Sequence, residues 1–130
     1  SPLASGLLSG KYDDGQPAPA GTRFADAPSG SFLGQRWTDS ALSVIEKLRP
    51  LAAAKHITLS QFALAWVIQQ PGVTSPIIGP RTLAQLEDNL MAIDVELTDG
   101  DLKAIDAIIP PGTHVSPYYE ADFGPHQHRW

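Results

Sequence analysis

Apolar residues recur at helical spacing over much of this chain, broken by glycine- and proline-rich stretches. Leu42, Ile45, Leu48 and Ala52 form a first stripe behind Asp39 and Ser40, whose side chains can cap a helix start. That helix is predicted to end near His56 and to kink or break around Glu46 to Arg49, because the Pro50 ring collides with the preceding turn. Thr58 and Gln61 then form a capping box, a hydroxyl and an amide satisfying two orphan donors at the start of a helix from Leu59 to Gln70. Phe62 to Ile68 are apolar almost all round, so this helix calls for burial on more than one side, and Phe62, Leu64 and Trp66 read as core. Thr82 and Gln85 repeat the capping-box logic, and Leu83, Leu86, Leu90 and Ile93 give the next helix its stripe. A last helix opens at Thr98 to Asp101, turns Leu102, Ile105 and Ile109 inward, and stops at Pro110-Pro111-Gly112.

The segments between these helices follow other rules. Residues 1–12 read as the exit of a strand and a turn, with Gly6 and Gly10 as flexible points. Residues 13–38 are rich in Gly, Pro, Ala, Asp and Ser and lack periodicity, which predicts a long surface loop tied to binding and not to the core. Pro71-Gly72 stops a helix, and Val73 to Ile78 is a short apolar strand that Pro76 confines to an edge or an irregular segment. The tail after Gly112 is rich in proline, histidine and aromatics. Only one strand is complete, and one strand cannot make a sheet. Strand and helix in alternation belong to parallel α/β folds, so the fold class is α/β, helix-rich here with one or two short strands. The rest of the sheet is expected upstream of Ser1, because the opening residues have no cap and no preceding element to pack on.

Composition narrows the function. The chain has 130 residues, 42% hydrophobic and 18% charged, the profile of an ordinary globular domain with a real core. A net charge of −5 and a pI near 5.1 argue against nucleic acid or an anionic membrane surface as partner. The absence of cysteine removes disulfides, thiolate chemistry and cysteine zinc sites. No apolar stretch approaches the roughly 20 residues of a bilayer span, and no signal peptide is visible, so a cytoplasmic location is expected. His126 and His128 could share one face, but two histidines without an acidic or thiolate neighbour are a weak metal site, and none is assigned.

The chemistry concentrates at Gly79-Pro80-Arg81, directly after the apolar run and directly before a helix. Free backbone N–H groups and the positive end of a helix dipole favour a phosphate there. Arg81 adds a planar, permanently charged fork. The arrangement points to a phosphorylated cofactor and shows no catalytic apparatus. Gln85 also has an ordinary structural task as the amide of a capping box.

Three stretches together resemble the aldo-keto reductase family, (β/α)8 TIM barrels that use NADP(H). Ser1-Pro2-Leu3-Ala4-Ser5-Gly6-Leu7-Leu8-Ser9-Gly10-Lys11-Tyr12 is similar to the segment after the seventh strand. Ser60 to Val67 resembles the seventh barrel helix. Ile77 to Arg81, continued by Gln85, Asn89, Ala92 and Leu97-Thr98, resembles the eighth strand and its cofactor-phosphate turn. The resemblance covers about residues 1–109 and implies the C-terminal portion of the barrel. Residues 1–38 would be a strand exit and cofactor loop, 39–70 helices, 73–78 the last barrel strand, 82–109 the phosphate helix and its successor, and 110–130 a tail.

It further implies that Ser1, Pro2, Leu3, Ala4 and Ser5 lie along the pyrophosphate and ribose of NADP, with Lys11 and Arg23 reaching phosphates from the loop. Gly79 would allow close approach, Arg81 would pair with the 2′-phosphate, and Gln85, Asp88 and Asn89 would reach that phosphate and the adenine. The family's catalytic tyrosine, lysine, aspartate and histidine belong to the first half of the barrel, so no catalytic residue is assigned here. Tyr12, Tyr118 and Tyr119 lie outside the matching motifs. The implied activity of the whole protein is reduction of a small carbonyl compound by NADPH; a nucleotide-binding regulatory subunit of the same fold is the alternative. Either way, the upstream part of the barrel or another chain is an expected partner.

Overall fold

The computed structural model describes residues 1–28 and 30–115. Four α-helices carry it: α1 (Asp39–Ala54), α2 (Leu59–Ile68), α3 (Leu83–Leu90) and α4 (Asp99–Ile108). Short 3-10 segments lie at Ala4–Ser9, Gly34–Arg36 and Met91–Asp94. The chain turns by 89° between α1 and α2, and no single described helix is long and apolar enough to cross a membrane. Helix α1 packs on α2 and α4, while α2 also meets α3 and both flanking 3-10 segments.

No strand forms among the described residues, which corrects the expectation of one or two. Val73 to Ile78 is irregular, and residues 4–9 are 3-10 turns where a strand exit was predicted. The reason is pairing: a strand's N–H and C=O groups need a neighbour, and the described residues supply none. Ile77 is therefore 89% exposed. The predicted stripe of α3 also turns outward at Leu83, Leu90 and Ile93, which are exposed as is Met91, while Leu86 is half-buried. Trp66, expected in the core, is also exposed, because none of the described residues covers that face of α2, whereas Phe62 and Leu64 are buried as expected. An apolar hollow of about 420 Å³ opens between Leu8, Leu48, Leu59, Phe62, Trp66 and Ile109.

Local signals decide the helix ends. Thr58 accepts from the Gln61 amide while the Gln61 side chain accepts from the Thr58 N–H, and Thr98 with Asp101 does the same for α4. Helix α1 is capped by Thr38, one residue ahead of the predicted Asp39 and Ser40. It runs through Pro50 without the predicted break. Proline in a helix interior costs about 3 kcal/mol, but Leu48 and Ala52 are buried on either side of it, and Pro50 faces solvent. The helix ends through Ile57 N–H to Ala52 O (3.2 Å) and His56 N–H to Ala53 O (2.9 Å), with His56 left-handed at φ 58°. Ile57 folds back against the core.

The loop also departs from expectation, because residues 13–38 contribute to the core. Tyr12, Phe24 and Trp37 form one aromatic cluster, with Tyr12 edge-on to both partners at centroid distances of 5.4 and 5.1 Å. Tyr12 and Phe24 are buried beside Leu7, Ile45 and Leu59.

Helix α4 is tied to α1 by Asp101, whose Oδ2 receives Lys55 Nζ at 2.7 Å and the Thr98 N–H at 2.7 Å. The hydrogen bond from Lys55 chiefly, aided by the donors of Thr98 and the Lys55 charge, holds the Asp101 carboxyl below its usual value against the opposing effect of burial. A carboxyl depressed in the folded state stabilises above its unfolded value, about pH 4, and this contribution fades as pH falls through the folded value. Asp101→Asn should therefore melt below wild type at neutral pH, and the gap should narrow in acid. Thermal melts across pH 7 to 2 check this; a gap that stays constant with pH would remove the ion pair as its cause.

Candidate functional site

Residues from three separate parts of the chain converge on one cleft of about 190 Å³. The opening segment supplies Ser1, Pro2, Leu3, Ser5 and Gly6; the loop supplies Lys11 and Arg23; the far wall is Ile77, Ile78, Gly79, Arg81 and Gln85. Nine of the twelve residues proposed from sequence thus share it. Ala4, Asp88 and Asn89 do not line it.

The opening segment owes its shape to backbone that side chains rarely allow. Ala4, Ser5 and Gly6 all have positive φ, at 47°, 62° and 103°. For the two non-glycine residues this costs roughly 1–2 kcal/mol each, so the surroundings must hold them. Ser1 holds the turn from within: its O accepts from Ala4 N at 3.0 Å and its Oγ accepts from Ser5 N at 3.1 Å. From outside, the buried Arg36 donates through Nη1 to Ser5 Oγ and lies 4.3 Å from the Phe32 ring centroid. A Cβ on Gly6 would stand 4.0 Å from Lys11 Nζ, in addition to the strain of its φ.

The opposite wall is built by the start of α3. Thr82 accepts from the Gln85 N–H at 3.2 Å, but the Gln85 side chain does not return to Thr82. Its Oε1 accepts from Arg81 N at 2.8 Å, one residue earlier than a capping box predicts. The turn that carries Arg81 is thereby fixed from inside the helix. Asp88 points elsewhere: it accepts from Gln61 Nε2 at 2.8 Å and from Thr58 Oγ1 at 3.2 Å, tying α3 to the cap of α2. Asn89 is buried.

Electrostatics sets the chemistry. Lys11, Arg23 and Arg81 line the cleft and, among the described residues, no aspartate or glutamate does, although the chain as a whole carries −5. Like charges brought together without a counter-ion favour an anion between them. The hydroxyls of Ser1 and Ser5 add neutral donors. Lys11 Nζ lies 5.2 Å from the Tyr12 ring centroid, which steadies the ammonium without neutralising it.

Sequence reading missed Arg36 and Arg49, which support the site from outside. Arg49, on α1, donates to Gly10 O at 3.1 Å, to Tyr12 O, to Asp13 Oδ1 at 2.9 Å and to Glu46 Oε1 at 2.8 Å. Neither arginine sits in a motif, and their partners lie up to 39 residues away, so no local pattern could have marked them. Tyr118, Tyr119, His126 and His128 lie outside the described residues. Tyr12 is fully buried.

The sequence pattern of the aldo/keto reductase family matches residues 1–110. Over 95 residues the chain is 38% identical to a probable voltage-gated potassium channel subunit beta of Arabidopsis thaliana, covering 73% of this chain and 29% of that protein. A similarly named protein of Oryza sativa is 36% identical over 111 residues, covering 84% of this chain and 34% of its own length. An uncharacterized oxidoreductase of Bacillus subtilis, YrpG, is 35% identical over 120 residues, covering 92% and 34%. The chain spans about a third of the length of these relatives.

Proposed function

The chain belongs to the aldo/keto reductase family, and on that premise we propose that it is the cofactor-anchoring C-terminal portion of an NADP(H)-dependent carbonyl reductase with a (β/α)8 barrel. The observation that carries this reading is the cleft itself, where three cations and two serines meet with no carboxylate among the described residues lining it. Its volume of about 190 Å³ is below the roughly 300–1,000 Å³ of pockets for whole drug-sized ligands. It suits the phosphorylated ribose end of a dinucleotide, with the remaining walls supplied by the rest of the barrel. NADPH, when bound, supplies the hydride.

In this reading the chain's own residues bind and orient. Arg81 faces the 2′-phosphate, with its backbone held by Gln85. Lys11 and Arg23 neutralise charge from the loop, and the strained turn at Ser1 to Gly6, with the N–H groups of Ala4, Ser5 and Gly6 used within the turn, forms the near wall and offers the Ser1 and Ser5 hydroxyls. The acid that protonates the carbonyl oxygen belongs to the upstream portion. That portion, or another chain, also covers the exposed face of Ile77, Leu83, Leu90 and Ile93. The substrate is an aldehyde or ketone.

Loss of NADPH absorbance that depends on added aldehyde or ketone, measured on the protein that carries this chain, tests the proposal. The relatives named as potassium channel subunits favour a second reading, in which the same cleft holds nucleotide as a regulatory ligand with little turnover. Tight NADPH binding without carbonyl-dependent oxidation would select that reading; absence of NADPH binding would end both.

A further inference from the structure

We propose that Arg49 is the positioning residue of the cleft, acting through Lys11; this rests on the nucleotide reading above. Lys11 is exposed, on a loop, and its ammonium has a long flexible stem, so its position depends on the backbone beneath it. That backbone is gripped on both sides by one guanidinium. Arg49 Nη1 donates to the carbonyl of Gly10, and Nη2 donates to the carbonyl of Tyr12. The peptide planes before and after the Lys11–Tyr12 pair are thereby fixed, and Lys11 is aimed into the cleft.

The grip is itself held. Glu46, one turn earlier on α1, accepts from Arg49 Nε at 2.8 Å, and Asp13 accepts from Nη2 at 2.9 Å. Two carboxylates orient the fork while two carbonyls take its remaining donors, a division of labour that needs the planar, five-donor head of arginine. Gly10 has φ 81°, so the chain bends into the grip at a position where a side chain would be strained. On the inner side, the Tyr12 ring is fully buried in the aromatic cluster, so the segment cannot slide past its clamp. Helix α1 is thus coupled to a cleft that none of its residues lines.

The test is a double-mutant cycle on NADPH affinity, with Arg49→Lys, Lys11→Met and the pair. Lysine keeps the charge and one grip but cannot span both carbonyls and both carboxylates. Lys11→Met should weaken NADPH by roughly tenfold or more, the scale of one lost charge-assisted contact. Arg49→Lys should produce most of that loss, and the double variant should bind like Lys11→Met alone. Losses that multiply would make Arg49 merely structural and overturn the inference. An Arg49→Lys variant that binds like wild type would do the same.

A measurement on wild-type protein stands beside this, should the Arg49 variant not fold. Trypsin cleavage after Lys11 without nucleotide should begin only at the urea concentration of global unfolding. Cleavage under fully native conditions would show that the clamp does not hold. Absence of any NADPH binding by wild type would instead remove the nucleotide reading, a result distinct from either failure of the clamp.

Discussion

Tyr12→Ala should destabilise the protein by about 3 kcal/mol, among the large losses expected from a single change in this chain. The ring is fully buried and meets Phe24 and Trp37 edge-on, at interplanar angles of 89° and 85°. Truncating a buried aromatic costs roughly 3–5 kcal/mol, from lost transfer energy and the cavity left behind. Paired rings add about 0.5–1.5 kcal/mol beyond area. One effect runs the other way. The Tyr12 hydroxyl is buried and finds no hydrogen-bond partner among the described residues, and such a group costs about 1–3 kcal/mol. Alanine removes that cost along with the ring, which pulls the net figure to the lower end.

Tyr12→Phe separates the two effects. It keeps the ring contacts and deletes only the orphan oxygen, so its stability should equal or exceed that of wild type by up to about 1 kcal/mol. Urea denaturation of both variants checks the pair. A Tyr12→Phe protein that is clearly less stable would mean that the hydroxyl has a partner beyond the described residues. A Tyr12→Ala protein within about 1 kcal/mol of wild type would mean that the cluster is not a core at all, since surface substitutions fall in that range.

These residues also show where sequence reading stops. Helix starts were legible because a capping box is a four-residue statement: Thr58 with Gln61 formed as read, and Thr98 with Asp101 closes a box where a helix start was read. At Thr82 the same signal was only half right, since Gln85 turns to Arg81 instead. The cleft was legible in part for a different reason. Its far wall sits in one short run, Gly79 to Gln85, and its near wall in another, Ser1 to Gly6. What carried no signal was the long-range grip of Arg36 on Ser5, across 31 residues, and of Arg49 on Gly10 and Tyr12.

The aromatic cluster was hidden by its context. Phe24 lies in a loop without periodicity, and periodicity is what reveals a core. The strand at Val73 to Ile78 failed for a physical cause that sequence cannot show. Its apolar residues describe a pairing surface, and pairing is a property of two segments. Among the described residues no second segment pairs with it, and Ile77 stands in solvent. Ile77, Leu83 and Ile93 are accordingly exposed, whereas Leu42, Ile45 and Phe62 are buried by contacts within the described residues.

Arg81→Ala should weaken NADPH by roughly thirtyfold while changing NADH by less than about threefold, since hydrogen bonds to charged groups contribute about 1.5–3 kcal/mol. The substitution is clean at this position. The turn is held by Arg81 N–H to Gln85 Oε1, a backbone contact that alanine retains. Exposure of the side chain tempers the figure, because solvent and salt screen an exposed charge. Against that, Lys11 and Arg23 line the same cleft, so the phosphate enters a field of one sign. Arg81→Lys should fall between, keeping the charge and losing the fork. Raising salt should narrow the gap between wild type and Arg81→Ala, because the part that is removed is the screened part. Titration of both cofactors by nucleotide fluorescence, at low and high salt, gives all of these numbers. Equal losses for NADPH and NADH would place Arg81 elsewhere than at the 2′-phosphate. No loss for either would leave the cleft to Lys11 and Arg23, and the anion to the loop side alone.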